Sequence, residues 1–195
     1  MVRTRDGRPA HTAESLLTVA VEVFTARGYD GTSMEHLAAA SGLSKSSIYH
    51  HVASKEELLR RALDRALGAL FAVLDEPGAI TGSASDRVGY VVRRETETLL
   101  AEQPYVTLLL RVRGNSPMEQ DALRRRREFD QRMTELVQVA ISAGEFRSDA
   151  DPAVVTRLVF GMVNSLIEWW RPDRGDPQVV VDAVLSLVLD GLRAS

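Results

Sequence analysis

The chain contains no cysteine. That absence excludes disulfide scaffolds, thiolate zinc sites and thiol nucleophiles together, and it suits a reducing compartment. No apolar run approaches the roughly 18 residues needed to cross a bilayer. The polar, arginine-bearing stretch from Met1 to Ala10 lacks the apolar segment of a signal peptide. Alternation of apolar and polar residues, the mark of a strand, is almost missing. So are a glycine-rich phosphate loop, an H-E-x-x-H pair and a G-x-S-x-G elbow. The expectation is an all-α, soluble, cytoplasmic protein that is not an enzyme, with no metal, no cofactor and no membrane partner.

What is present fits that expectation. Hydrophobic residues make up 45% and charged residues 26% of 195 residues, a globular balance with room for one large domain or two small ones. The net charge of −3 argues against a polyanionic partner only until it is mapped. Before residue 61 the basic groups are Arg3, Arg5, Arg8, Arg27, Lys45, Lys55 and Arg60. They are balanced by Asp6, Glu14, Glu22, Asp30, Glu35, Glu56 and Glu57. The first third is therefore neutral, and the excess acid lies in the rest. All the histidines (His11, His36, His50, His51) precede residue 52.

Apolar residues recur at helical spacing. Leu16, Leu17, Ala20, Val23 and Phe24 form one stripe, closed by Gly28. Ser33 precedes a short segment, Met34 to Ser41, that ends at Gly42. Ser44 precedes another that reaches about His51. Ser54 and Glu57 have the S-x-x-E spacing of a capping box, the carboxylate reaching back to the cap, and open a long helix through Leu74. Glu76 to Ser85 reads as a loop. Further helices are expected over Asp86–Glu102, after Pro104, from Pro117 to about Ala143, from Pro152, and over Val179–Leu192. That makes about nine helices, divided into a unit at 1–54 and a larger one at 55–195. The last two helices are apolar on more than one face, which calls for a second neighbour, most simply another copy of the chain packed as a homodimer. Leu185 is taken as a residue of that contact.

The two short helices separated by Gly42-Leu43-Ser44 have helix-turn-helix spacing. Leu37 and Ala38 face Ile48 and Val52, and the small Ala39 and Ala40 permit close approach. The second helix exposes Lys45, Ser46, Ser47, Tyr49 and His50, with no carboxylate among them, as entry into an anionic groove requires. In order and spacing, F-x-x-x-G-Y, T-S-x-x-x-L-A, A-S-G-x-S, I-Y-x-H-V and S-K-E-E-L-L over residues 24–59 resemble the DNA-binding module of the TetR family of transcriptional repressors. The resemblance implies a helix-turn-helix domain joined to a larger helical ligand-binding and dimerisation domain. It also implies a homodimer on double-stranded palindromic operator DNA, released by a small-molecule effector. Carried over by residue, Ser44, Lys45, Ser46 and Ser47 begin the recognition helix, and Tyr49 and Lys55 match phosphate-contacting positions. His50 shares the exposed surface, Thr32 and Ser33 hold phosphate, and His51 packs or caps. Arg3, Arg5 and Arg8 are an additional candidate arm for the minor groove.

For an effector, the apolar and polar residues of the larger unit give Phe71, Tyr90, Arg94, Leu99, Arg111, Arg113, Phe129, Met133 and Asn164 as candidates. Leu67, Leu70, Leu74, Val91, Leu109 and Met162 are further lining, and Glu95 is a further polar group. Gly161-Met162-Val163-Asn164 and Trp169-Trp170-Arg171-Pro172 resemble a stretch in TetR-type regulators of fatty-acid and sterol breakdown. That likeness implies an acyl-CoA or other apolar ligand, its anionic head met by arginines around 111–113 or 124–127. Two other classes stay open at this level. One is a small α-helical enzyme built on Glu95, Glu97 and Glu102, and the other is a protein-interaction adaptor without DNA binding.

Overall fold

A hydroxyl stands at the start of each of the first four helices, where the amide N–H groups of the opening turn otherwise lack partners. The structure is a computed structural model and describes residues 12–173 and 175–194; the arginines proposed as an arm, Arg3, Arg5 and Arg8, lie outside them. Thr12 caps α1 (Ala13–Arg27), Ser33 caps α2 (Met34–Ser41), Ser44 caps α3 (Lys45–Tyr49) and Ser54 caps α4 (Lys55–Leu74). Gly28 and Gly42 follow α1 and α2 at φ 75° and 69°, values that residues with a Cβ avoid. The Ser54–Glu57 box is half formed. Ser54 Oγ accepts from the Glu57 amide at 3.2 Å, but the Glu57 carboxylate accepts from Ala53 N at 2.6 Å and pairs with Arg61.

Ten helices are described, one more than the periodicity indicates. The addition is α5 (Pro77–Ile80), a single turn inside the stretch expected to be loop. Four residues are too short to carry a periodic signal, and the turn closes through Thr81 N on Pro77 O at 2.9 Å. Then follow α6 (Ala84–Ala101), α7 (Gln103–Arg111), α8 (Pro117–Ser142), α9 (Pro152–Trp169) and α10 (Pro177–Leu192). Proline sits in the first turn of α7, α8, α9 and α10, where its missing N–H leaves no bond unmade. Among the described residues there is no strand, only one bridge between Phe146 and Arg193.

Leu16, Leu17, Ala20, Val21 and Phe24 of α1 are buried together with Leu37, Ile48 and Val52, and with Leu58 and Leu59 of α4. Ala39 and Ala40, expected at the α2–α3 contact, are exposed instead. In the larger unit α6 is packed by α4, α5, α8, α9 and α10. Meanwhile α7 touches both α1 and α4. The inner stripe of α10 (Val181, Val184, Leu185, Val188) is buried, so Leu185 belongs to the protomer's own core and not to an outer contact. The outer faces of α9 and α10 carry Val154, Leu158, Val179 and Leu187, the two leucines 69% and 68% exposed.

Candidate functional site

The α2–α3 turn is built by one serine. Ser41 is buried, its hydroxyl donates to Leu37 O at 2.7 Å, and its oxygen accepts from Leu43 N at 3.4 Å. With Gly42 in the left-handed region, this fixes the angle at which α3 leaves α2. Ile48 points inward at full burial, so the other side chains of α3 are turned out. Ser44 Oγ accepts from Ser47 N at 3.1 Å and shares hydrogen bonds with Ser46 Oγ and Ser47 Oγ at 2.9 and 2.8 Å. Lys45, Ser46, Tyr49 and His50 are exposed, Tyr49 by 52%. α3 ends at Tyr49, two residues earlier than the spacing suggests, and His50 and His51 form the turn after it. The carboxylate-free character of α3 is local, because Lys45 pairs with Glu35 of α2. Both partners are exposed, so the pair is weak and exchangeable.

Two of the carried-over residues face inward. Thr32 is 3% exposed, and its hydroxyl donates to Gly28 O at 2.8 Å, so that hydroxyl is not available to a phosphate. The half-buried Lys55 donates from Nζ to Tyr29 O at 2.9 Å and Thr32 O at 2.8 Å, and the same ammonium lies 4.1 Å from the centre of the Tyr29 ring. Its first role is to staple the α1–α2 turn onto the start of α4. Ser33 is half-buried: its Oγ accepts from His36 N at 3.4 Å, and its own N–H donates to His36 Nδ1 at 3.2 Å. That reciprocal cap gives His36 a place at the start of α2. Of Thr32, Ser33 and Lys55, only Ser33 had a sequence signal, as the cap of α2; the partners of Lys55 lie 23 and 26 residues away and are not visible there.

A second site lies between α4, α6, α7, α8 and α9. A cavity of about 30 Å³ is walled by Leu67, Leu70, Leu99, Val106, Leu109, Phe129 and Phe160, with Glu95, Arg126, Asp130 and Asn164 among them. Glu95 is 5% exposed, and its Oε2 has no hydrogen-bond partner among the described residues. Burial, with a smaller push from the Asp130 carboxylate, raises its pKa to about 8, so it is a neutral acid at pH 7. Asp130, on the exposed rim, is also raised by desolvation, against the pull of Arg126 and Arg157. Desolvation lowers Arg126.

The sequence-derived effector candidates separate into distinct places. Leu99, Phe129 and Asn164 line this cavity. Phe71 backs it, edge-on to Phe129 with ring centres 5.6 Å apart. Met133 is wholly buried core. Tyr90 and Arg94 are turned to Glu76, to which Tyr90 donates at 2.5 Å and Arg94 at 2.8 and 3.1 Å. Arg111 and Arg113 are exposed on a different, open cleft of about 720 Å³ between the first unit and α7–α8. Of the run at 124–127, only Arg126 reaches the cavity; Arg124 pairs with Asp121 and Arg125 with Asp64. The period of α8 selects Arg126, but only the neighbouring helices say which face is inside.

Comparison with known proteins covers both units. Residues 16–62 match the model described as bacterial regulatory proteins of the tetR family, and residues 81–192 match the tetracyclin repressor-like C-terminal domain. A solved member of the TetR transcriptional regulator family from Streptomyces coelicolor A3 is 59% identical, with 96% of each chain covered and a TM-score of 0.87. The HTH-type transcriptional repressor KstR2 of Mycolicibacterium smegmatis is 26% identical over 96% of this chain and 94% of its own. The structure of AibR in complex with isovaleryl coenzyme A and operator DNA shares the fold, at 23% identity and a TM-score of 0.74, covering 90% of this chain and 96% of that one.

Proposed function

The chain belongs to the TetR family of transcriptional regulators, and from that premise we propose that it is a homodimeric repressor whose grip on a palindromic operator is released by an apolar effector. The observation that carries this is the outward presentation of α3 on a rigid turn, with Ser44, Lys45, Ser46, Ser47, Tyr49 and His50 on or near its free surface. Residues 1–54 act as the DNA-binding domain and 55–195 as the effector and dimerisation domain. Lys45 and the serines of the first turn meet base edges. Tyr49 and Ser33 meet phosphate, which sets register and strength and not sequence. Lys55 holds the α1–α2 turn in place and so acts on DNA through the position of α2. Dimerisation through the outer faces of α9 and α10 covers Leu158 and Leu187, and twins of α3 then address successive major grooves.

The effector enters the cavity walled by Leu99, Phe129 and Asn164. KstR2 is named as a repressor, and AibR is seen with an acyl-CoA. An acyl or similarly apolar body suits the walls here. Release follows from α7, which lines the cavity with Val106 and Leu109. On its other side Tyr105 meets Thr18 of α1 at 3.3 Å, and Arg65 bridges Tyr105, Glu102 and Glu14. A ligand that fits only when α7 has shifted favours the DNA-incompetent arrangement, as differential binding requires. The test is fluorescence anisotropy with the intergenic DNA upstream of the gene at several salt concentrations. Specific, salt-dependent binding that Tyr49→Ala weakens about tenfold supports the reading. Equal binding to unrelated DNA of the same length refutes it.

A further inference from the structure

Glu95 is a buried acid that no neighbour explains. It extends no hydrogen bond to any described residue, it sits among Leu67, Leu70, Leu99, Val106 and Leu109, and a leucine in its place would fill the space without an orphaned oxygen. Arg126, Asp130 and Asn164 line the same cavity, and among the described residues their side chains likewise form no hydrogen bonds. A cavity of about 30 Å³ holds one or two waters, so a ligand must part the walls to reach them. One buried carboxyl without a partner, set in an apolar wall beside three more exposed polar side chains, is the arrangement of a recognition site.

Resting on the effector reading above, we propose that the effector carries an uncharged hydroxyl or carbonyl oxygen that Glu95 receives at the inner end of this cavity. The neutral carboxyl both donates and accepts, so it pairs with either function without any change of charge. The charged groups around it are Arg126 and Asp130 from α8, with Arg157 of α9 acting on Asp130. The walls from α4 and α7 are apolar. An ammonium head would pair only with an ionised Glu95, which burial opposes, and a carboxylate head there would meet Asp130. A neutral oxygen meets neither obstacle.

The experiment uses the full-length protein and rigid fluorescent probes that share one apolar body: naphthalene, 2-naphthol, 2-acetylnaphthalene, 2-naphthoate and (2-naphthyl)methylammonium. Binding is measured without DNA, on the wild type, Glu95→Gln, Glu95→Leu and the cavity-filling Val106→Trp, after thermal melts show that each variant is folded. The expected result is that 2-naphthol and 2-acetylnaphthalene bind the wild type about tenfold tighter than the other three probes. Glu95→Gln, which keeps a donor and an acceptor, stays within about threefold of the wild type, and Glu95→Leu falls to the naphthalene level. Affinity for 2-acetylnaphthalene declines above about pH 8 in the wild type, as the proton is lost, and stays level in Glu95→Gln. Tighter binding of the ammonium probe, indifference to Glu95→Leu, or no binding of any probe overturns the proposal. Binding that is insensitive to Val106→Trp instead puts the site elsewhere and overturns the effector reading itself. Probes that bind as expected but leave the DNA complex intact refute release and not the role of Glu95.

Discussion

Lys45 and Lys55 look alike in the sequence, each following a serine cap, yet their surroundings predict different variants. Among the described residues, Lys45 is held only by an exposed pair with Glu35. Lys45→Ala is therefore expected to leave the melting temperature within about 1 °C while altering base preference, since exposed pairs contribute little. Glu35→Gln should tighten DNA binding about twofold by freeing the lysine. Lys55→Ala should weaken all DNA sequences alike and also lower the melting temperature, because it removes two hydrogen bonds and the contact with Tyr29. Anisotropy over an operator library, paired with calorimetry, distinguishes the two. Glu95 gives a pH signature of its own. Its pKa is about 8 in the folded chain against an ordinary 4.5, so the folded state holds one more proton than the unfolded state between those values. Stability therefore falls as pH rises through that window and levels off above about 8. The melting temperature of Glu95→Gln relative to the wild type should climb by roughly 10 °C from pH 5 to pH 8. A constant difference across that range would mean Glu95 is ionised in the native protein.

At the scale of elements, α7 is the member that faces two ways. Its inner side meets the cavity and its outer side meets α1 through Tyr105, whose ring also receives the Arg65 guanidinium at 4.1 Å. Replacing Arg65 with methionine keeps the apolar stem but removes the bridge to Glu14 and Glu102. The expected outcome is an unchanged probe affinity with operator release weakened at least about threefold, read by titrating probe into the preformed DNA complex. Loss of probe binding itself would show that the bridge shapes the cavity and not the coupling. The helices themselves were legible because caps and stripes are local. Ser33, Ser44 and Ser54 announce three starts, and prolines stand in the first turn of α7, α8, α9 and α10. α5 was not legible, since one turn between Pro77 and Ile80 leaves no period to read.

At the scale of the whole molecule, the proposed assembly rests on the outer faces of α9 and α10, where Leu158 and Leu187 are exposed. Leu158→Glu with Leu187→Glu is expected to give folded monomers by light scattering, with operator affinity reduced about 100-fold, because one half-site loses its linked partner. Leu185→Glu should instead unfold the protomer, since it drives a charge into the α6–α10 contact. A folded dimer from the double variant would move the interface elsewhere. The sequence by itself determined the all-α class, the helix-turn-helix and the surface of α3, because each rests on residues close together along the chain, where spacing is geometry. It also marked α9 and α10 as doubly apolar. Only the tertiary structure decided that Leu185 is inside and Leu187 outside, that Thr32 and Lys55 are turned toward the backbone, and that Glu95 and Arg126 share a cavity while Arg111 and Arg113 do not. Those outcomes depend on which helix covers which face, and that is set by the packing of segments far apart in the chain, to which no local pattern responds.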